Sequence, residues 1–143
     1  MERIDESTDV AGLLGRFFDF TDSLLHSLSL RFSRQGNQRL EVRIATREAV
    51  ADETNGWTVG VFVVDNIIEM KFEEHWKRKH GVISDGIHVV KIGELVGIEF
   101  GNSYEKPMSM NDLQESECFA LGKELWFGTE PYTEEIWRFK HFQ

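Results

Sequence analysis

Apolar residues are spaced in two different ways within the first 45 positions. Val10, Leu13, Leu14, Phe17 and Phe18 recur at i, i+3, i+4, i+7 and i+8, which places five large side chains on one stripe of a short helix. Ser7, Thr8 or Asp9 supplies its cap. From Leu24 the period becomes two: Leu24, Leu28, Leu30 and Phe32 face one way, and Ser27, Ser29, Arg31 and Ser33 the other. Gln35-Gly36-Asn37 carries turn chemistry, after which Leu40, Val42 and Ile44 alternate with Glu41, Arg43 and Ala45. The two runs predict a hairpin.

The same reading continues along the chain. Trp57 to Val64 is rich in β-branched residues and predicts a strand buried on both faces. Asp65-Asn66 reads as a two-residue turn into a second hairpin strand, with Ile68, Met70 and Phe72 pointing inward. The charged segment from Glu73 to Gly81 reads as a loop or a single helical turn. Ile87 to Ile92 and Leu95 to Phe100 form a further pair around Gly93-Glu94, and Gly97 marks a bulge or a close backbone approach. A polar excursion from Asn102 to Glu117 contains Pro107. Strand character returns at Cys118 to Phe127, with Phe119, Leu121, Leu125 and Phe127 on one face and Gly122 as a point of interruption. Beyond Pro131, Thr133 caps a terminal helix with Glu134 and Glu135 in its first turn. The expectation is one α+β, mostly β domain over residues 1–143. It is a curved antiparallel sheet, open barrel or sandwich of about seven strands, with short helices near both termini.

Size and composition agree with one core: 143 residues, 41% hydrophobic, with 17 aromatic side chains. The acidic start Met1 to Glu6 lacks the basic region of a secretory signal, and no apolar run approaches the ~18 residues that cross a bilayer. A soluble, cytoplasmic protein without a membrane partner is expected. Cys118 is the only cysteine, so no internal disulfide forms, which fits a reducing compartment. The formal net charge is −9, and it is unevenly placed. Residues 1–50 hold 8 acids and 7 bases, whereas residues 51–143 hold 17 and 9. Only Lys77 to His80 is locally basic, which argues against a nucleic-acid partner. An acidic surface steers a basic protein instead.

The search for chemistry leaves no catalytic, metal or cofactor residues assigned. His26 sits near Asp22 in sequence, but without an attached nucleophile motif the two are expected to form a structural junction between helix and strand, with His26 buried. Glu73, Glu74, His75 and His80 are ligand types at a spacing that matches no zinc pattern, and a solvated loop explains them. Cys118 lies in an apolar run as a small core residue. Glycine-rich phosphate loops are absent. Of the tryptophans, Trp126 falls opposite the apolar face of its strand and Trp76 lies among charges. Both are interface candidates, together with Glu124 and Glu130.

Phe20-Thr21-Asp22-Ser23-Leu24, leading into Leu28, Leu30 and the return strand Leu40-Glu41-Val42-Arg43-Ile44, resembles the opening of several small bacterial families. In these a Phe-[His/Thr]-Asp-[Ala/Ser] segment enters the first strand of a β-rich domain, and some are similar to immunity proteins of polymorphic-toxin systems. The resemblance implies a non-enzymatic cytoplasmic protein that binds and blocks one toxin; it carries over no binding residues. Two other readings stay open: a ligand-binding or enzymatic barrel whose cavity uses His26 or His88, and an assembly subunit whose strand edge pairs with a copy of itself.

Overall fold

Two long strands, β4 (Trp57–Phe72) and β8 (Cys118–Pro131), run antiparallel through the centre of the sheet. The computed structural model describes residues 1–48, 56–73, 81–101 and 103–133. Around the central pair the chain forms β1 (Glu2–Arg3), α1 (Val10–Gly15), β2 (Ser23–Phe32), β3 (Gln38–Arg47), β5 (Val82–Ile83), β6 (His88–Ile92), β7 (Leu95–Glu99) and α2 (Met110–Gln114). The strands pair in the order β5-β2-β3-β4-β8-β7-β6, and β1 lies against the distal part of β8. The result is a curled antiparallel half-barrel with two short helices.

The concave side is filled from the N-terminal segment. Asp9 caps α1 by accepting from the Gly12 N–H at 3.0 Å, and Leu13, Leu14 and Phe17 turn inward. Phe18 does not continue the apolar stripe. Phe18, Asp19 and Phe20 adopt positive φ of 53°, 56° and 61°, a left-handed turn that leaves Phe18 55% exposed and delivers Phe20 fully buried. Left-handed backbone costs roughly 1–2 kcal/mol per non-glycine residue, so the turn persists only because its surroundings hold it. Asp19 carbonyl accepts from the Ile87 N–H at 3.0 Å, and Gly86, at φ 78°, leaves room where a Cβ would strike that same carbonyl. Phe20 then packs against Phe17, Phe62 and Phe127, with ring centroids 5.2, 5.4 and 6.3 Å away. It also occupies the space of the missing Gly60 side chain, where a Cβ would lie 2.8 Å from its ring.

Three breaks in alternation decide which face each strand presents. In β2 the register slips between Leu25 and Ser27, so His26 is an extra, bulged residue. Leu25, not Leu24, therefore shares the concave face with Leu28, opposite the buried Ile44 and Val42. In β4 the Asp65-Asn66 pair does not turn the chain back. Asn66 takes φ 53°, its N–H bonded by the Asp65 carboxylate at 3.1 Å, and a bulge before Glu69 lets one 16-residue strand continue where two were expected. In β8 the phase skips at Gly122-Lys123. Leu125 and Phe127 join the concave core, whereas Phe119 and Leu121 face the opposite side, against Val90 and Leu113 of α2. The four residues read as one face thus serve two. Gly97 is a close approach, since a Cβ there would overlap the Ala120 carbonyl.

Within the polar excursion lies α2, capped by the Ser109 hydroxyl, which accepts from the Asp112 N–H at 3.1 Å. The expected terminal helix beyond its cap Thr133, with Glu134 and Glu135, falls outside the described residues, as do Trp76, His75 and His80. No helix among the described residues is long and apolar enough to cross a membrane.

Phe20→Ala is expected to destabilise the domain by about 3–5 kcal/mol in urea unfolding, since it opens a void inside an aromatic cluster. The adjacent Phe18→Ala should cost under about 1 kcal/mol despite removing the same side chain. Equal losses would show that Phe20 is not the plug.

Candidate functional site

The convex face of β3, β4 and β8 holds Trp126, Glu124 and Glu130, three of the residues singled out as interface candidates. Val59, Val61 and Val63 form its apolar floor with half-buried Trp126 and Tyr132. Charges lie over this floor in a grid. Arg43 spans two acids, donating through Nε and Nη2 to Glu130 at 3.2 Å each and through Nη1 to Glu41 at 3.1 Å. Arg39 donates to Asp65 at 3.0 Å, and Trp126 Nε1 donates to Glu124 at 3.3 Å. Arg3 reaches Glu124 at 3.8 Å. The hydrogen bond from Arg39 holds the Asp65 carboxyl below its ordinary 3.8, and Glu130 and Glu41 push the Arg43 guanidinium up. Glu124 and Glu130 are therefore partnered within the fold, and a molecule docking flat on this face would have to dehydrate satisfied ion pairs.

The junction residues sit apart from that face. His26 is half-buried at the bulge of β2, whereas Asp22 is exposed in left-handed backbone at φ 55°. Between them Ser23 is buried and hydrogen-bonded to the Thr46 hydroxyl at 2.7 Å. Asp22 instead lines an open groove of about 510 Å3 with Phe18, Thr21, Arg47 and Trp57, where the Arg47 guanidinium lies 5.2 Å from the Trp57 ring centre. His88 is half-buried on the face turned away from the concave core and donates from Nε2 to the Ser103 carbonyl at 2.9 Å. Opposite it stands Glu99, wholly buried, whose Oε2 accepts from the Gly101 N–H and the Ser116 hydroxyl at 2.6 Å each. This carboxylate ties the excursion to the sheet. Cys118 is buried in the main core, and Glu73 is exposed 3.4 Å from Lys71 Nζ.

Sequence reasoning missed the sheet's edges. On one side the sheet ends at β6, among the described residues. At the other end β5 pairs with Ser23 and Leu24, and the Gly81 carbonyl accepts from the Leu25 N–H; among the described residues no strand lies beside Ser27 to Phe32. This six-residue edge ends in Leu30 and Phe32, 41% and 68% exposed. Register places Phe32 opposite Gln38 and Arg39 opposite Asp65, so the exposed Ile68 of β4 borders the same end of the sheet. Alternation alone assigns Leu30 and Phe32 to a covered face.

Compared with protein-family models, with curated proteins and with solved structures, the chain finds no significant match.

The Arg39–Asp65 pair gives a pH signature. A carboxylate whose folded pKa lies below its unfolded value adds stability above the unfolded value and loses it as pH falls through the folded one. Arg39→Gln should cost at most about 1 kcal/mol at neutral pH, because the pair is solvent-screened. The gap from wild type should close in acid below 3.8, as followed by urea unfolding across pH. A gap that persists unchanged in acid would place the effect in packing of the arginine stem.

Proposed function

We propose that this domain binds a protein partner, accepting an extended segment along the open Ser27–Phe32 edge of β2. The observation that carries the reading is that edge itself: a run of backbone beside which no strand lies among the described residues, ending in exposed Leu30 and Phe32. Unpaired edges template association, and folded proteins usually shorten, charge or cover them. Among the described residues β6 ends one side of the sheet, and on the other side β5 does not reach Ser27 to Phe32 of β2. Added-strand pairing supplies main-chain hydrogen bonds, and alternate side chains such as Leu30 and Phe32 supply selectivity.

The formal charge of −9 favours a basic partner by long-range attraction. Glu124 and Glu130, neutralised by Arg3 and Arg43, add little to that attraction, which comes from the remaining acids. In keeping with the families that its opening residues resemble, we read the partner as a toxin and the domain as its cytoplasmic immunity protein.

The test is co-expression with the product of the adjacent gene. A toxin-bearing product should be neutralised and should co-purify with the domain. Leu30→Ala/Phe32→Ala should weaken the complex at least about tenfold with little change in stability, and raised salt should slow association. An adjacent product that is neither bound nor neutralised would sink the immunity reading. A complex indifferent to the double substitution would sink the edge as its site, and a concentration-dependent dimer lost in the variant would replace it with self-assembly.

A further inference from the structure

The outer side of β8 is shared by two strands that do not meet. β7 pairs with it as far as Gly122, through Val96, and β1 takes over at Trp126 and Phe127. Ile4 N–H adds one bond to the Leu125 carbonyl at 2.8 Å. The interval between them, at Lys123, coincides with the skip in alternation that divides β8 between two cores. There the sheet margin opens into a cleft of about 510 Å3 between the N-terminal segment and the β6–β7 hairpin. That volume lies within the roughly 300–1,000 Å3 of small-molecule sites.

The cleft has an apolar floor and a charged rim. Ile4, Val10, Val89 and Val96 form the floor and are continuous with the main core. On the rim, Lys91 is held by Glu6 at 3.0 Å and Arg3 by Glu124 at 3.8 Å. Asp5 turns its carboxylate to the Ser7 N–H and hydroxyl, at 2.8 and 2.6 Å. That leaves Lys106, Lys123 and, at the hairpin turn, Glu94 without a side-chain partner among the described residues. Lys106 comes from the excursion and Lys123 from the skip in β8, so two far-separated segments bring to the lining of one apolar hollow, which Glu94 also borders, two lysines without an acidic partner among the described residues. A chain of net charge −9 does this against its overall charge.

We propose that the cleft binds a small amphipathic anion: a carboxylate on a short aliphatic or aryl body. The hydrocarbon rests on Val89 and Val96, and the carboxylate lies between Lys106 and Lys123. The apolar body supplies affinity by leaving water, and the lysines select the charged head over a neutral one.

Octanoate titrated into the protein and followed by backbone amide shifts is the test, with 1-octanol as the uncharged counterpart. Saturable shifts are expected at Val89, Val96 and Lys123. Lys106→Ala/Lys123→Ala should weaken octanoate about tenfold while leaving octanol unchanged, and the thermal midpoint should stay near wild type because both lysines are exposed. Lack of saturation by about 10 mM would overturn the proposal. So would shifts centred elsewhere, or an octanoate affinity unaffected by the double substitution.

Discussion

A half-barrel has a concave apolar face and no opposite wall, and everything else in this domain depends on how that face is closed. The closure is aromatic. Phe17 and Phe20 enter from the N-terminal segment and meet Phe62 and Phe127 of the two central strands. Fully burying a phenylalanine side chain stabilises by about 1.5–3 kcal/mol, enough to offset much of the left-handed turn that presents Phe20. The turn is held from outside as well, through the Asp19 carbonyl and the Ile87 N–H. The segment that looks most like a chemical motif, Phe18 to Ser23, thus plugs the sheet.

Filling the concave side from within leaves the uncovered parts of the sheet at its margins. The convex face is neutralised locally by Arg39 and Arg43, and part of it is covered by α2. What stays open among the described residues is geometric in origin: the edge beyond the two-residue strand β5, and the interval between β7 and β1 at Lys123. Both follow from strands of unequal length in one curled sheet.

Much of the fold was legible. The strand periods at Ser27 to Phe32, Leu40 to Ile44 and Leu95 to Glu99, the Gly93 turn and the close approach at Gly97 all follow from local residue chemistry. The misreadings have two causes: Leu24 and the Phe119-to-Phe127 face come from extending an alternation through a residue that breaks it, and Asp65-Asn66 from reading turn chemistry where one strand only shifts phase. Less of the candidate surface was legible. Trp126 was placed opposite the core side of its strand, where it lies, but pairing with Arg3 and Arg43 removes Glu124 and Glu130 from any free acidic patch, and the β2 edge left no trace in the pattern.

By itself the sequence determined the class of element at most positions and the antiparallel, mostly β character. These depend on the alternation of side chains along a strand and on the φ that turn residues tolerate, properties set within a few residues. Only the tertiary structure decided where His26, Asn66 and Gly122-Lys123 shift the phase, which strands end early, and which arginine meets which glutamate. Those depend on partners 20 to 90 residues away, as with Arg43 and Glu130 at a separation of 87. A single slipped residue moves every later side chain of a strand to the opposite face.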